Sequence, residues 1–335
     1  MNLTMGQRRQ SSLPLPLSLA ALALAIVAGA MFSLSTGGRT DIGLGALFAK
    51  DPTSIAVIWD IRMPRSVAAA LIGINLGLAG LTLQAITRNP LASPAILGIN
   101  QGAAFGLALA LIVPQAVPLP PDGMATLGAL AAGLLTFAIA GGFGERMESI
   151  RLILGGVAVG ALAYALVRFA YTLEDELTRT LVRWTVGDIT DMRWPPVLRM
   201  LIWTVPGVLL AMVMAHRFNL MSMGQDVAHG LGADPRKTLI IGMLLAASLT
   251  GVSVSVAGPI AFAGLIVPHI AKLLFGPDHR VLVPVTALLG AALMLIADGL
   301  SKVVTAPIET PLGIIVALIG APWFLVQTLT AKDLE

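Results

Sequence analysis

Long apolar runs, separated by short polar interruptions, occupy nearly the whole chain. They lie near residues 14–34, 64–86, 95–115, 124–143, 151–171, 196–215, 239–257, 260–275, 281–299 and 312–330. A helix needs about 20 apolar residues to cross the hydrocarbon of a bilayer, so most of these runs predict one span each. Residues 238–271 carry no Asp, Glu, Lys or Arg, a stretch too long for one span. Pro259 follows Gly258 within it, where a helix should break, so two spans are expected there, the second short. The pattern predicts an all-α integral membrane protein with about ten transmembrane helices. A single transmembrane domain covers 1–335, with a tail of about 1–13 ahead of the first span.

The stretch "RNPLASPAILGINQGAAFG" (88–106) departs from this rhythm. Pro90 and Pro94 should end one helix and start the next, with Ser93 as an N-cap. The Gly and Ala that follow let a helix start pressed against its neighbours. Gly73 with Gly77, and Gly156 with Gly160, have the small-xxx-small spacing that lets helix backbones approach in lipid. The first apolar run also resembles a signal peptide, with Arg8 and Arg9 ahead of it and Ala28-Gly29-Ala30 near its end. Nine further runs favour an uncleaved first helix.

Composition agrees with the pattern and narrows the chemistry. Charged residues make up 12% of the chain and hydrophobic residues 56%, against about 25% charged in a soluble domain, so membrane lipid is the expected surroundings. The net charge of +3 is scattered, which argues against a nucleic-acid partner. There is no cysteine, and with four separated His no metal site is expected. Lys and Arg divide almost evenly between the two sides of the ten-span pattern, so the basic-residue rule leaves the orientation open. No GxxxxGK[ST] occurs, so the chain has no P-loop for ATP phosphates.

Three segments, 62–106, 248–302 and 307–325, resemble the FecCD/BtuC-type permease subunits of ABC importers for iron–siderophore complexes, haem and cobalamin. They include "RMPRSVAAALIGINLGLAGLTLQAITRNPLASPAILGIN", "AGPIAFAGLIVPHIAKLLFGPDHR" and "PIETPLGIIVALIGAPWFL". The resemblance implies an ABC importer permease bundle in the bacterial cytoplasmic (inner) membrane, with both termini cytoplasmic. It implies a transport subunit, not an enzyme, most readily for ferric siderophore, with haem or cobalamin as alternatives. It also implies as partners a second permease copy or paralogue, two ATP-binding cassette subunits that use ATP and Mg, and an extracytoplasmic substrate-binding protein. No cofactor is expected in this chain.

The resemblance assigns roles to particular residues. Residues 216–238 become the cytoplasmic coupling element of an ATPase groove. A short amphipathic helix of about 221–231 is expected there, with Leu220, Met223, Val227 and Leu231 on one face, and Gly232 ending it. Met221, Gly224 and Asp226 belong to the same coupling set. An interfacial helix lying on the inner leaflet is the competing reading of that periodicity. Arg62, Arg65 and Lys302 resemble the family's docking positions for acidic residues of the binding protein, with snorkelling to headgroups as the alternative. Gly141, Gly142 and Gly144 fall where relatives form an inner gate. The charged stretch of about 172–195 should cap the outer mouth, with Glu174, Asp175 and Glu176 as a solvated face. Asp298 lies four residues before Lys302, which favours a structural carboxylate over a proton relay. His269 and His279 are expected in helix-end structural roles. A gradient-driven secondary transporter is the rival, but it needs ionisable groups near the midplane, where these runs are nearly free of charge.

Overall fold

A computed structural model describes residues 15–37, 45, 51–117, 119–141, 149–172 and 184–332. The helices are α1 (Leu15–Ser35), α2 (Met63–Thr87), α3 (Ile99–Ile112), α4 (Pro121–Ile139), α5 (Ser149–Tyr171), α6 (Trp194–Ser222), α7 (Gln225–Gly230), α8 (Pro235–Ala257), α9 (Ala263–Phe275), α10 (His279–Val303) and α11 (Leu312–Lys332). A five-residue turn, Pro52–Ala56, and a π-helical turn, Val57–Arg62, lead directly into α2. No strand occurs among the described residues. All ten apolar runs fall on helices, and the bundle is all-α as expected. Among the described residues, seven helices are long and apolar enough to cross a membrane, whereas α3, α9 and the apolar part of α11 are shorter. At 1.5 Å per residue, the 13 residues of α9 reach only about 20 Å, so the chain around them crosses partly as turns.

α2 is the centre of the bundle. A Cβ on Gly73 would overlap the Gly290 carbonyl of α10, and one on Gly80 would overlap the Gly264 carbonyl of α9. Gly77 faces Thr286 of α10 tightly, where a Cβ would sit 3.2 Å from the Thr286 carbonyl oxygen, and Gly242 of α8 receives Ile86. The Gly73–Gly77 spacing therefore holds a real close approach. Without a hydrophobic drive between helices in lipid, such packing is the main attraction available. α1 sits on the outside of the bundle, against α10.

The corner after α2 differs in detail from the expectation. Arg88 closes α2 in the left-handed region (φ 51°). Residues 93–98 are turns, and α3 begins only at Ile99, behind Gly98 at φ 73°. Ser93 serves through its carbonyl, which accepts the Ile96 (3.1 Å) and Leu97 (3.3 Å) N–H groups, and Pro94 O accepts from Ile99 (3.3 Å). Gly98 abuts Gly156 and Gly160 of α5, so both predicted small-residue pairs are used. Turns at membrane depth must satisfy their own backbone and be covered by protein, and this corner does both.

The expected break at Gly258-Pro259 is present. Gly258 leaves α8 at φ 75°, and Phe262 enters α9 at φ 66°, a strained value for a residue with a side chain. Its Cβ lies where Gly320 of α11 leaves room. Of the segment expected to cap the outer mouth, residues 173–183, with Glu174, Asp175 and Glu176, lie outside the described residues. The remainder is laced to three elements. Asp188 N–H donates to Ala257 O (2.8 Å), Gly313 N–H donates to Gly187 O (2.8 Å), and the Trp194 indole N–H donates to Trp59 O (2.8 Å).

Candidate functional site

The two ends of the bundle carry different chemistry. At the end where α2 begins and α10 finishes, Asp298 is fully buried between two cations. Arg65 Nε donates to Asp298 Oδ1 (2.6 Å), and Lys302 Nζ donates to Oδ2 (2.6 Å). The α-helix places Lys302 one turn above Asp298, so the i,i+4 pair forms within α10. Ser33 Oγ of α1 donates to Asp298 Oδ2 (2.6 Å), and Ser33 O accepts from Lys302 Nζ (2.8 Å). Arg65 also reaches Ser301 Oγ (3.0 Å) and forms a close ion pair with Glu309, ahead of α11. Arg62 Nη1 donates to Leu34 O (2.9 Å). Helices α1, α2 and α10, and the loop into α11, are thus tied by one network.

Arg62, Arg65 and Lys302, the three expected docking positions, are all buried. Their exposures are 4%, 4% and 5%, because burying a charge requires partners and these have them. The open face of the network is a cavity of about 200 Å³, bounded by Thr36, Gly37, Ile61, Arg62, Arg65 and Glu309. Glu309 is the network's more accessible carboxylate, with 21% of the side chain exposed. The i,i+4 spacing of Asp298 and Lys302 is visible in the sequence. Ser33 and Glu309 are not, since their partners are remote along the chain.

The opposite end carries a short helix with exposed apolar groups and no such buried charge network among the described residues. α6 runs on to Ser222, and only Gln225–Gly230 is helical beyond it, shorter than the expected 221–231. Met221 is fully buried on α6, so it cannot meet a partner, and Leu220 is partly buried against the core. Met223, Val227 and Leu231 are 61%, 45% and 58% exposed. Ala228, fully buried, anchors the other side of α7. Gly224 (φ 112°) and Gly232 (φ 84°) turn the chain at either end of α7, and Asp226 lies exposed in its first turn, where a helix favours negative charge. Asp234 caps α8 by accepting the Lys237 N–H (3.0 Å), which holds its carboxyl below the usual range.

Just before this element, Asn219 fastens α6 to α10. Its Nδ2 donates to Asp278 Oδ1 (2.6 Å), and its Oδ1 accepts from the His279 N–H (2.8 Å) and meets ring Nδ1 (2.8 Å). Arg280 Nη2 meets His216 Nδ1 (3.0 Å) one turn away. His279 therefore has the expected helix-end role. His269 packs edge-on against Trp323, with centroids 5.1 Å apart. Gly141 ends α4 at φ 78°, with its N–H on Ala138 O, while Gly142 and Gly144 lie outside the described residues. Asn219 is invisible to periodicity, being one polar residue in the last turns of α6.

The profile of the FecCD transport family matches residues 12–330. The Fe(3+) dicitrate transport system permease protein FecC of Escherichia coli (strain K12) is 38% identical over 81% of this chain and 82% of its own length. The cobalamin import system permease protein BtuC of Halobacterium salinarum is also 38% identical, over 83% of this chain and 74% of its own. A solved inward-facing conformation of a metal-chelate type ABC transporter superposes with a TM-score of 0.82 at 30% identity. That superposition covers 94% of this chain and 99% of the other.

Proposed function

This chain belongs to the FecCD transport family, and from that premise we propose that it carries ferric siderophores inward between two permease subunits. As a family member it is a multi-pass membrane permease of an ABC importer for metal chelates, a transport subunit whose work implies an ATPase and a binding protein. Our reading adds a second copy or paralogue, two ATPase subunits that alone use ATP and Mg, and both termini in the cytoplasm. Residues 216–238 then face the ATPase and the Asp298 network faces the binding protein.

One observation carries the orientation and the coupling role. Met223, Val227 and Leu231 are exposed together on a short element at the end opposite the buried charges. Apolar side chains on a helix favour a groove in a partner. The Asp298 network can serve docking in one way: an incoming carboxylate enters the cavity and exchanges with Glu309 at Arg65. Ferric cargo is favoured because relatives named for ferric dicitrate, iron(3+)-hydroxamate and Fe(3+)-citrate are all similar to this chain. The cobalamin permease is as similar as the ferric dicitrate one, so identity alone does not choose.

The test is uptake into proteoliposomes holding the permease, its genomic-neighbour ATPase and the binding protein. The binding protein is loaded in turn with ferric citrate, a ferric hydroxamate, haemin and cobalamin. ATP-dependent uptake of an iron chelate supports the reading, and uptake of haemin or cobalamin alone replaces the cargo. Uptake that follows an ion gradient without ATPase would overturn the importer itself.

A further inference from the structure

α10 is pinned at both ends by side-chain networks. Its start is held by Asn219, at the root of the coupling element, and its end by the buried Asp298 network. The Asn219 clamp has a fixed orientation. Two donors of His279, the backbone N–H and ring Nδ1–H, meet the Asn219 oxygen, while the Asn219 amide N–H meets a carboxylate. A flipped amide would set N–H against N–H and oxygen against oxygen, so the network itself assigns both the amide and the His tautomer. Asp278 is committed as well, since it accepts the Arg280 N–H (2.9 Å) as the α10 cap. Phe218 packs edge-on against the His279 ring at 6.0 Å, and His216–Arg280 adds a second bridge between the same two helices.

We propose that Asn219 is a positioning residue that locks the coupling element to α10, so that α10 carries its displacement across the membrane to the Asp298 network. This rests on the assignment of 216–238 to the ATPase. Energetic coupling needs a rigid element joined to both sites, and a helix of 25 residues spans about 37 Å at 1.5 Å per residue. A helix of that length reaches from one membrane face to the other.

The geometry supplies its own test. Asn219→Asp sets two carboxylates 2.6 Å apart and breaks the clamp. Adding Asp278→Asn removes the carboxylate pair and restores the α6–α10 bond with amide and carboxylate exchanged. Asp278 Oδ1 accepts both the Asn219 and the Arg280 N–H in the native chain, so the new amide must turn its oxygen toward Arg280 to keep the cap. The carboxylate now at position 219 still accepts from His279. The chain has no cysteine, so a single Val303→Cys, half-exposed at the far end of α10, reports movement there. The measurement is its labelling rate by a water-soluble maleimide in the reconstituted permease–ATPase complex, with and without ATP and vanadate. In an otherwise native chain the rate should change at least threefold on trapping. Asn219→Asp should abolish that change while ATPase still co-purifies, and the double exchange should restore it. An unchanged rate in the native background, a change that survives Asn219→Asp, or a failed restoration with intact complex would each overturn the proposal. Loss of ATPase co-purification from Val227→Asp tests the underlying coupling assignment separately. If ATPase is retained there, that assignment fails whatever Asn219 does.

Discussion

The two ends of this bundle invert the usual rule in opposite ways. Around Asp298, charge is buried where apolar groups would be ordinary; around α7, apolar groups are exposed where charge would be ordinary. The first inversion is satisfied within the chain, because Arg65, Lys302 and Ser33 supply partners at hydrogen-bond distance. The second is not satisfied by anything among the described residues. A self-satisfied inversion is a fastening, and an unsatisfied one is a surface for something else. The Asp298 network therefore bears first on folding, and α7 first on assembly.

Asp298→Ala should break this comparison most visibly. It leaves Arg65 and Lys302 buried without their shared carboxylate, a defect that costs about 3–5 kcal/mol. The expected outcome is little folded protein in the membrane fraction and a strongly lowered Tm in detergent. Val227→Asp should do the converse. It changes an exposed residue, so stability should stay within about 0.5 kcal/mol of native, while ATPase recovered by co-purification falls at least tenfold. Normal assembly with Val227→Asp would place α7 on the lipid surface instead.

Glu309→Gln sharpens the boundary between the two classes. Arg65 keeps Asp298, so thermal melting should show a loss of about 1 kcal/mol, near the upper end for an accessible pair. If docking proceeds by exchange at Arg65, the variant should also bind the loaded binding protein several-fold more tightly at low salt, measured by surface-captured binding. Unchanged affinity would leave the network a fastening only. The smallest effect concerns pH. The Asn219 amide, with the Arg280 N–H, holds the Asp278 carboxyl below its usual range. A depressed carboxylate contributes stability above the unfolded value near 3.8, and that contribution is lost as pH falls through the folded value. Melting curves should therefore show no Asp278-dependent change from pH 8 to 5. A small destabilisation should appear only below about pH 4, and should be absent in Asp278→Asn.

Much of this is legible in the sequence alone. Periodicity locates all ten apolar helices, and Gly258-Pro259 divides the charge-free stretch where α8 and α9 part. Small-residue spacing at Gly73 and Gly156 marks close approaches that are present. Helix lengths are less legible: α3 is expected from residue 95, yet the chain spends residues 93–98 on turns packed against α5. A proline marks where a helix can begin, but tertiary contact decides where it does. The site is half readable. Exposure of Val227 and Leu231 follows from their spacing, whereas Met221, adjacent in the same amphipathic stretch, is claimed by α6 and buried. Burial of Arg65 and Lys302 is not foreseeable, because it depends on Ser33 and Glu309 meeting them from distant segments. Local pattern reports which face a residue takes, and charge pairing across helices is a property of the assembled bundle.

The central question is whether an ATPase covers the exposed apolar element. The direct measurement is zero-length or short-linker cross-linking from single cysteines at Val227 and Leu231 to the ATPase subunit in native membranes. A cysteine at Leu198, exposed in the first turns of α6 and far along that helix from α7, is the control. Coupling through α7 predicts efficient cross-links from both α7 positions, none from the control, and a change in yield when ATP and vanadate are added. Equal labelling of all three by a lipid-soluble reagent, with no ATPase cross-link, would contradict it.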